Sequence, residues 1–272
     1  MKVKIAVVQM HIKQYHPEEN LKKAVQFLKK ASGKANIIVF PEDFITGPIS
    51  DKLELADTKH KYVKLFQKFA KKYNIDIVAG SIIEKDKLGI YNTAYYIDSK
   101  GKIKSKYRKI NLWLPQENVF SRGDKISLFN TKYGKMGLII CWDLIFPELF
   151  RNMTKKGVKI VICPSYWTYE DAQYGLKYDK NSDVKLVNAV GICRAFENQI
   201  IVVFCNAGGN VGHKKHKEKL LGQSQISVPF IGAIKKLAHN KEAMFIQEID
   251  TSILHDAEKT YKIRQDLKDR IM

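Results

Sequence analysis

The chain has 272 residues, enough for two small domains or for one large α/β domain with a generous core. Its hydrophobic fraction of 45% and aromatic fraction of 11% exclude a disordered or fibrous chain. Lys and Arg outnumber Asp and Glu by 47 to 28, for a formal net charge of +19, but the lysines are spread along the chain without a recognised binding module, so nucleic acid is not an expected partner.

The N-terminus enters a strand-like run at once, Lys2 to Gln9, without the long uncharged apolar stretch of a signal peptide or membrane span. A cytoplasmic protein with no membrane partner is expected. Leu21, Ala24, Val25 and Leu28 then recur at helical spacing, opened by Pro17 and two glutamates and closed by Gly33. Further strands are expected near 36–40, 75–83, 91–98, 103–107, 125–130 and 134–140, with a helix over 59–73 between the first two of these. A helix should start at Pro147 and stop before Gly157, and another should cover about 183–197. Strands are expected near 158–163, 199–205, 222–228, 231–237 and 243–250. The runs Ile37 to Phe40 and Ile200 to Phe204 are continuously apolar, which marks central strands covered on both faces. This alternation is the signature of an α/β fold, with helices outside and sheets inside. No linker forces a split, so one domain over 1–272 is expected.

The four cysteines, Cys141, Cys163, Cys193 and Cys205, show no C-x-x-C spacing and read as reduced thiols. His213 and His216 have a metal-like spacing inside the cluster Lys214-Lys215-His216-Lys217, but no third ligand lies nearby, so neither metal nor cofactor is expected. Three strand ends release a reactive side chain where an apolar run stops: Glu42 after Phe40-Pro41, Lys109 after Tyr107-Arg108, and Cys141 before Trp142-Asp143. Ends of buried strands are where α/β proteins place ligand sites. Cys141 leads from a strand towards the helix opened by Pro147, an arrangement that presents a thiol at a sharp bend, and a nearby ammonium with helix-start N–H groups would lower its pKa. Taken alone it also fits a small core residue. None of the seven histidines is placed as its base.

Taken together, Phe40-Pro41-Glu42, Tyr107-Arg108-Lys109, Cys141-Trp142-Asp143 with Phe146-Pro147-Glu148, and Arg194-Ala195-Phe196-Glu197-Asn198 resemble the nitrilase and amidase superfamily of carbon–nitrogen hydrolases. Val8-Gln9, Gly123-Asp124, Asn206-Ala207-Gly208 and Gly222-Gln223-Ser224 extend the resemblance over the whole chain in the family's order. The resemblance implies a four-layer αββα sandwich, usually paired as a homodimer or larger homo-oligomer. It also implies a catalytic triad of Glu42 as base, Lys109 as oxyanion stabiliser and Cys141 as nucleophile, with Glu117 as an additional active-site glutamate. Glu148, Asp143, Arg194 and Glu197 are then structural residues around the site.

The chain departs from the family at Asn111, where histidine is common, and at Ser182-Asp183-Val184-Lys185, where a His-Trp pair is common; both departures bear on specificity. The implied substrate is a small amide, carbamoyl or nitrile compound. Trp142, Tyr166 and Trp167 are expected to touch it. The aromatic and acidic segment from Pro164 to Asp183 is expected to border the pocket, favouring a neutral or cationic tail. Two other classes stand beside this reading: a silent family member, against which the retained triad speaks, and an RNA-associated protein, for which charge is the only feature.

Overall fold

The computed structural model describes residues 1–213 and 216–269. Strand β1 (Lys2–Gln9) is followed by helix α1 (Pro17–Ala31) and strand β2 (Ile37–Val39), then by α2 (Lys61–Tyr73) and β3 (Asp76–Val78). β1, β2 and β3 run parallel, as strands joined by helical crossovers must when neighbours share direction. β4 (Ile82–Asp86), β5 (Gly89–Ile97) and β6 (Ile103–Arg108) continue the sheet, β5 pairing antiparallel with β3, β4 and β6.

After the short helix α3 (Leu114–Glu117), a second sheet is built from β7 (Phe129–Thr131), β8 (Gly134–Leu138), β9 (Ile160–Ser165) and β10 (Ile201–Asn206). Helices α4 (Pro147–Lys155) and α5 (Ser182–Asn198) supply its two crossovers. β11 (Asn210–His213) and β12 (His216–Lys219) form a separate hairpin, and β13 (Gln225–Val228) and β14 (Gly232–Lys236) extend the second sheet. β15 (Ala243–Asp250) returns to pair antiparallel with β1 along its whole length, before α6 (Ile253–Tyr261) and α7 (Ile263–Asp269).

The period-two alternation of β1 fixes the layering. Val3, Ile5 and Val7 enter a core shared with Leu138, Ile160 and Val202 of the second sheet. Ala6 and Val8 face the other way, into a core with Ala24 and Leu28 of α1 and Phe66 of α2. On the far side, Phe150 and Met153 of α4 and Val187 and Ala195 of α5 complete the inter-sheet cluster's outer boundary. The result is two mixed sheets face to face with helices on both outer sides. α1 also has the termini expected of it: Pro17, Glu18 and Glu19 open it and Lys29 and Lys30 close it, which suits the helix dipole.

Several elements differ from the sequence pattern. The expected strand over 75–83 breaks into β3 and β4 because Gly80 turns there at φ +48°, close against the strand end that leads to Glu42. A Cβ at Gly80 would lie 1.9 Å from the Pro41 carbonyl oxygen, so only glycine fits. The expected strand over 125–130 shortens to the few residues that pair with β8. The β11–β12 hairpin and helices α6 and α7 lie beyond the elements that apolar periodicity identifies. Lys214, Lys215 and the side chains of His213 and His216 lie outside the described residues. Among the described residues, no helix is long and apolar enough to cross a membrane.

Candidate active site

Cys141 sits at a sharp bend. Ile140 is extended at φ −131°, and Cys141 itself turns to φ +48° before a 3₁₀ turn over Cys141–Ile145 leads to α4. The left-handed conformation costs a non-glycine residue about 1–2 kcal/mol, so the surroundings must impose it. The buried Asp143 carboxylate does so by accepting four hydrogen bonds: Ile140 N at 3.0 Å, Asn111 N and Nδ2 at 2.9 Å each, and Tyr107 Oη at 2.8 Å. Arg194 of α5 donates to the Leu144 and Ile145 carbonyls at 3.1 and 2.7 Å and pairs with Glu197 at 2.8 Å. Asp143, Arg194, Glu197 and the divergent Asn111 therefore all brace the turn after Cys141. Glu148 is exposed on the first turn of α4.

Glu42 lies just past β2 and Lys109 just past β6, two strands of the first sheet separated by β3 and β5. Their side chains meet in an ion pair at 2.9 Å, 2% and 1% exposed. A buried pair gives up the hydration of both charges, and it holds only when further hydrogen bonds satisfy them. Here Asn92 of β5 donates to Glu42 Oε1 at 2.8 Å, Tyr166 N donates to Oε2 at 3.0 Å, and Lys109 Nζ also donates to Gln116 Oε1 at 3.0 Å. Burial works against the lysine charge, but Glu42 and then Cys141 outweigh it and hold the ammonium above its usual pKa.

The thiol behaves differently from the sequence expectation. Burial, and then the charge of Glu42, push Cys141 well above the usual thiol range, and neither Lys109 nor the Tyr166 N–H offsets them. The resting site thus holds a neutral thiol next to a carboxylate–ammonium pair. Such a thiol needs a base to become a nucleophile.

Glu42, Lys109 and Cys141 line one cavity of about 550 Å³. All three tryptophans of the chain gather on its wall: the Trp142 ring lies 4.5 Å from Trp113 and 5.6 Å from Trp167. Trp142, Tyr166 and Trp167 line the cavity. The rest of the 164–183 segment divides. Asp171 lines the cavity too, but Tyr174 and Tyr178 point to solvent, Asp179 pairs with Lys185, and Asp183 accepts the Trp167 indole N–H at 2.7 Å.

Glu117 does not reach the site. It is exposed, pairs with Arg122 at 2.5 Å and is absent from the cavity wall, whereas its neighbour Gln116 lines the wall and holds Lys109. The reason is local: α3 is a single turn, on which adjacent residues diverge by about 100°, so only one of the two can face inward. Asn92, Asp43 and Tyr15 are among the further wall or support residues. The only trace of Asn92 in the sequence is a polar residue inside the apolar run of β5.

Comparison with known proteins agrees with this architecture. The carbon-nitrogen hydrolase family model matches residues 4–258. The chain is 30% identical to the 2-oxoglutaramate amidase of Bacillus subtilis over 98% of both chains. Its structure is similar to the crystal structure of Saccharomyces cerevisiae Nit3, a member of branch 10 of the nitrilase superfamily, with a TM-score of 0.82 and 25% identity over 96% of this chain and 94% of that one. It shares its fold with a carbon-nitrogen hydrolase from Helicobacter pylori G27 at a TM-score of 0.88 and 22% identity, over 99% of this chain and 96% of the other. The chain belongs to the carbon-nitrogen hydrolase family, within the nitrilase superfamily, and is an enzyme of the amidase and nitrilase type.

Proposed function

We propose that the chain hydrolyses small amides, carbamoyl amines or ureido compounds through an acyl-enzyme on Cys141, releasing ammonia. The observation that carries this reading is the buried Glu42–Lys109 pair on the wall of the cavity that also holds the strained Cys141. Glu42 takes the thiol proton as Cys141 Sγ bonds to the carbonyl carbon, and the carbonyl oxygen gains charge. Lys109 Nζ and the N–H of Trp142 receive that charge; Trp142 is the second residue of a helical turn, where N–H groups lack intrahelical partners. Glu42 returns the proton to the departing nitrogen as the C–N bond breaks. It then takes a proton from water as water attacks the thioester, and the acid leaves with the thiol restored. Gln116 holds the lysine in place.

Glu42 and Lys109 come from one sheet and Cys141 from the other, so neither half of the chain holds the machinery alone. This supports a single catalytic domain. The free thiol that the chemistry needs fits a reducing compartment such as the cytoplasm. The names of the relatives, amidases foremost, support amide over nitrile chemistry. Ammonia release from a panel of matched amides, carbamoyl amines, ureido acids and nitriles should rank kcat/KM for the first three above nitriles. A nitrile at the head of that ranking would overturn the preference.

An exposed aromatic patch supports a homodimer. The ring of Tyr261 of α6 lies 5.3 Å from that of Phe196 of α5 and 5.5 Å from that of Phe230 in the β13–β14 turn, both tilted, and Ile231 beside them is 65% exposed. Contiguous apolar surface of this kind marks association, and closed two-fold pairing is its commonest form. Light scattering after gel filtration should give twice the chain mass for the wild type, and Phe230→Glu should shift it to one chain mass. A monomeric wild type at micromolar concentration would sink this assignment.

A further inference from the structure

Given the catalytic roles of Glu42, Lys109 and Cys141, we propose that the outer half of the same cavity is a seat for an ammonium group, built by Asp171 with Tyr166, so that the preferred substrates carry a cationic tail. Tyr166 joins the two halves. Its backbone N–H serves Glu42, while its phenol oxygen is out of solvent and, among the described residues, has no hydrogen-bond partner. Burial first, and then the carboxyl groups of Glu218, Asp43 and Asp171, raise the pKa of that phenol.

The charges on the cavity wall do not cancel. Five acids, Glu42, Asp43, Asp51, Asp171 and Glu218, face two described cations, Lys109 and Lys52. Lys109 is committed to Glu42. Lys52 lies 4.2 Å over the Tyr15 ring, next to Asp51, which accepts the Tyr15 hydroxyl at 2.7 Å. Burial, and then the adjacent charge of Glu42, raise the Asp43 carboxyl well above the usual carboxylate range. Glu218 is exposed at the rim and has interactions of its own.

Asp171 is left with its charge unspent. It is half-buried and fixed by reciprocal bonds, Thr168 N donating to Oδ2 at 2.7 Å and Asp171 N donating to Thr168 Oγ1 at 3.2 Å. Among the described residues, nothing donates to Oδ1 and no cation pairs with the group. Burial lifts its pKa to about 6, still low enough for a carboxylate at neutral pH. Aromatic faces of Tyr15, Trp142 and Trp167 surround the path from Cys141, and such faces attract cations. An anionic tail would meet Asp171 and Glu218, whereas the cations on the wall among the described residues are Lys109, paired with Glu42, and Lys52, held over the Tyr15 ring, even though the whole chain carries a net charge of +19.

Three amides of equal length, δ-aminovaleramide, hexanamide and adipamate, separate the possibilities by their terminal group. Calorimetry on the Cys141→Ala protein reads binding without turnover. The ammonium amide should bind roughly tenfold more tightly than hexanamide, as expected for a charge-assisted hydrogen bond, with adipamate weakest. Asp171→Asn retains an oxygen for the Thr168 N–H and should reduce the ammonium-to-neutral ratio by about tenfold; Tyr166→Phe should reduce it by less. Tightest binding of adipamate, or an unchanged ratio in Asp171→Asn, overturns the seat. Hydrolysis of hexanamide by the wild type without ammonium preference overturns the seat and leaves the catalytic reading standing. Selective binding of the ammonium amide without turnover of any of the three supports the seat and overturns the catalytic reading.

Discussion

Cys141→Ala is expected to reduce amide turnover by on the order of 10⁴-fold or more, because no other group can carry the acyl intermediate. Stability should change by less than about 1 kcal/mol, since the substitution removes one sulfur at a cavity wall and leaves in place the Asp143 and Arg194 bonds that impose the bend. The other cysteines provide the comparison. Cys163 and Cys205 are fully buried, with Cys205 Sγ within 3.4 Å of the carbonyl oxygens of Val8 and Val39 between the sheets. Cys163→Ala and Cys205→Ala should cost about 1–2 kcal/mol of packing and keep most activity.

Alkylation distinguishes an activated thiol from an accessible one. Cys193 is exposed on α5 and should react with iodoacetamide at a rate set by exposure, whatever stands at position 42. Burial and the charge of Glu42 hold the Cys141 thiol well above its usual pKa, and with Glu42 as the proposed base, Glu42→Gln should slow its labelling and leave that of Cys193 unchanged. Peptide mass spectrometry after timed quenching reads both sites in one sample. Substantial turnover by Cys141→Ala would remove the covalent mechanism.

The sequence made the ends of the buried strands legible, and with them Glu42, Lys109 and Cys141, because a continuous apolar run that stops at a polar residue is a local signal. What it hid was anything set by distance in space. Asn92 reaches Glu42 across fifty positions and looks in sequence like a flaw in a strand. Gln116 and Glu117 differ only in which way one helical turn faces, and family pattern favoured the carboxylate while the fold turned the amide inward. The direction of the Cys141 pKa was also out of reach. A neighbouring ammonium argues for a lowered value, but its effect is divided between the thiol and a carboxylate 2.9 Å from Lys109, and burial of the thiol decides the sign.

Lys109 gives the second large effect, in which stability and catalysis should separate. Lys109→Met removes the cation from a pair that is 1% and 2% exposed and leaves Glu42 as an uncompensated buried charge, which should cost about 3–5 kcal/mol of folding free energy. Adding Glu42→Gln to Lys109→Met removes that charge as well and should recover most of the lost stability in urea titration, yet recover no activity. Lys109→Arg keeps a charge but replaces a compact ammonium by a planar fork, which cannot hold both Glu42 Oε1 and Gln116 Oε1 from the same point. The donor to the developing oxyanion is then misplaced, and kcat should fall by about 10²–10³-fold, the range seen when one such donor is lost. The loss should lie in kcat more than in KM, because the charge being stabilised exists only in the transition state. A Lys109→Arg enzyme with wild-type kcat would mean that the ammonium merely neutralises Glu42, and the oxyanion would have to be held by the N–H groups of the Cys141 turn alone.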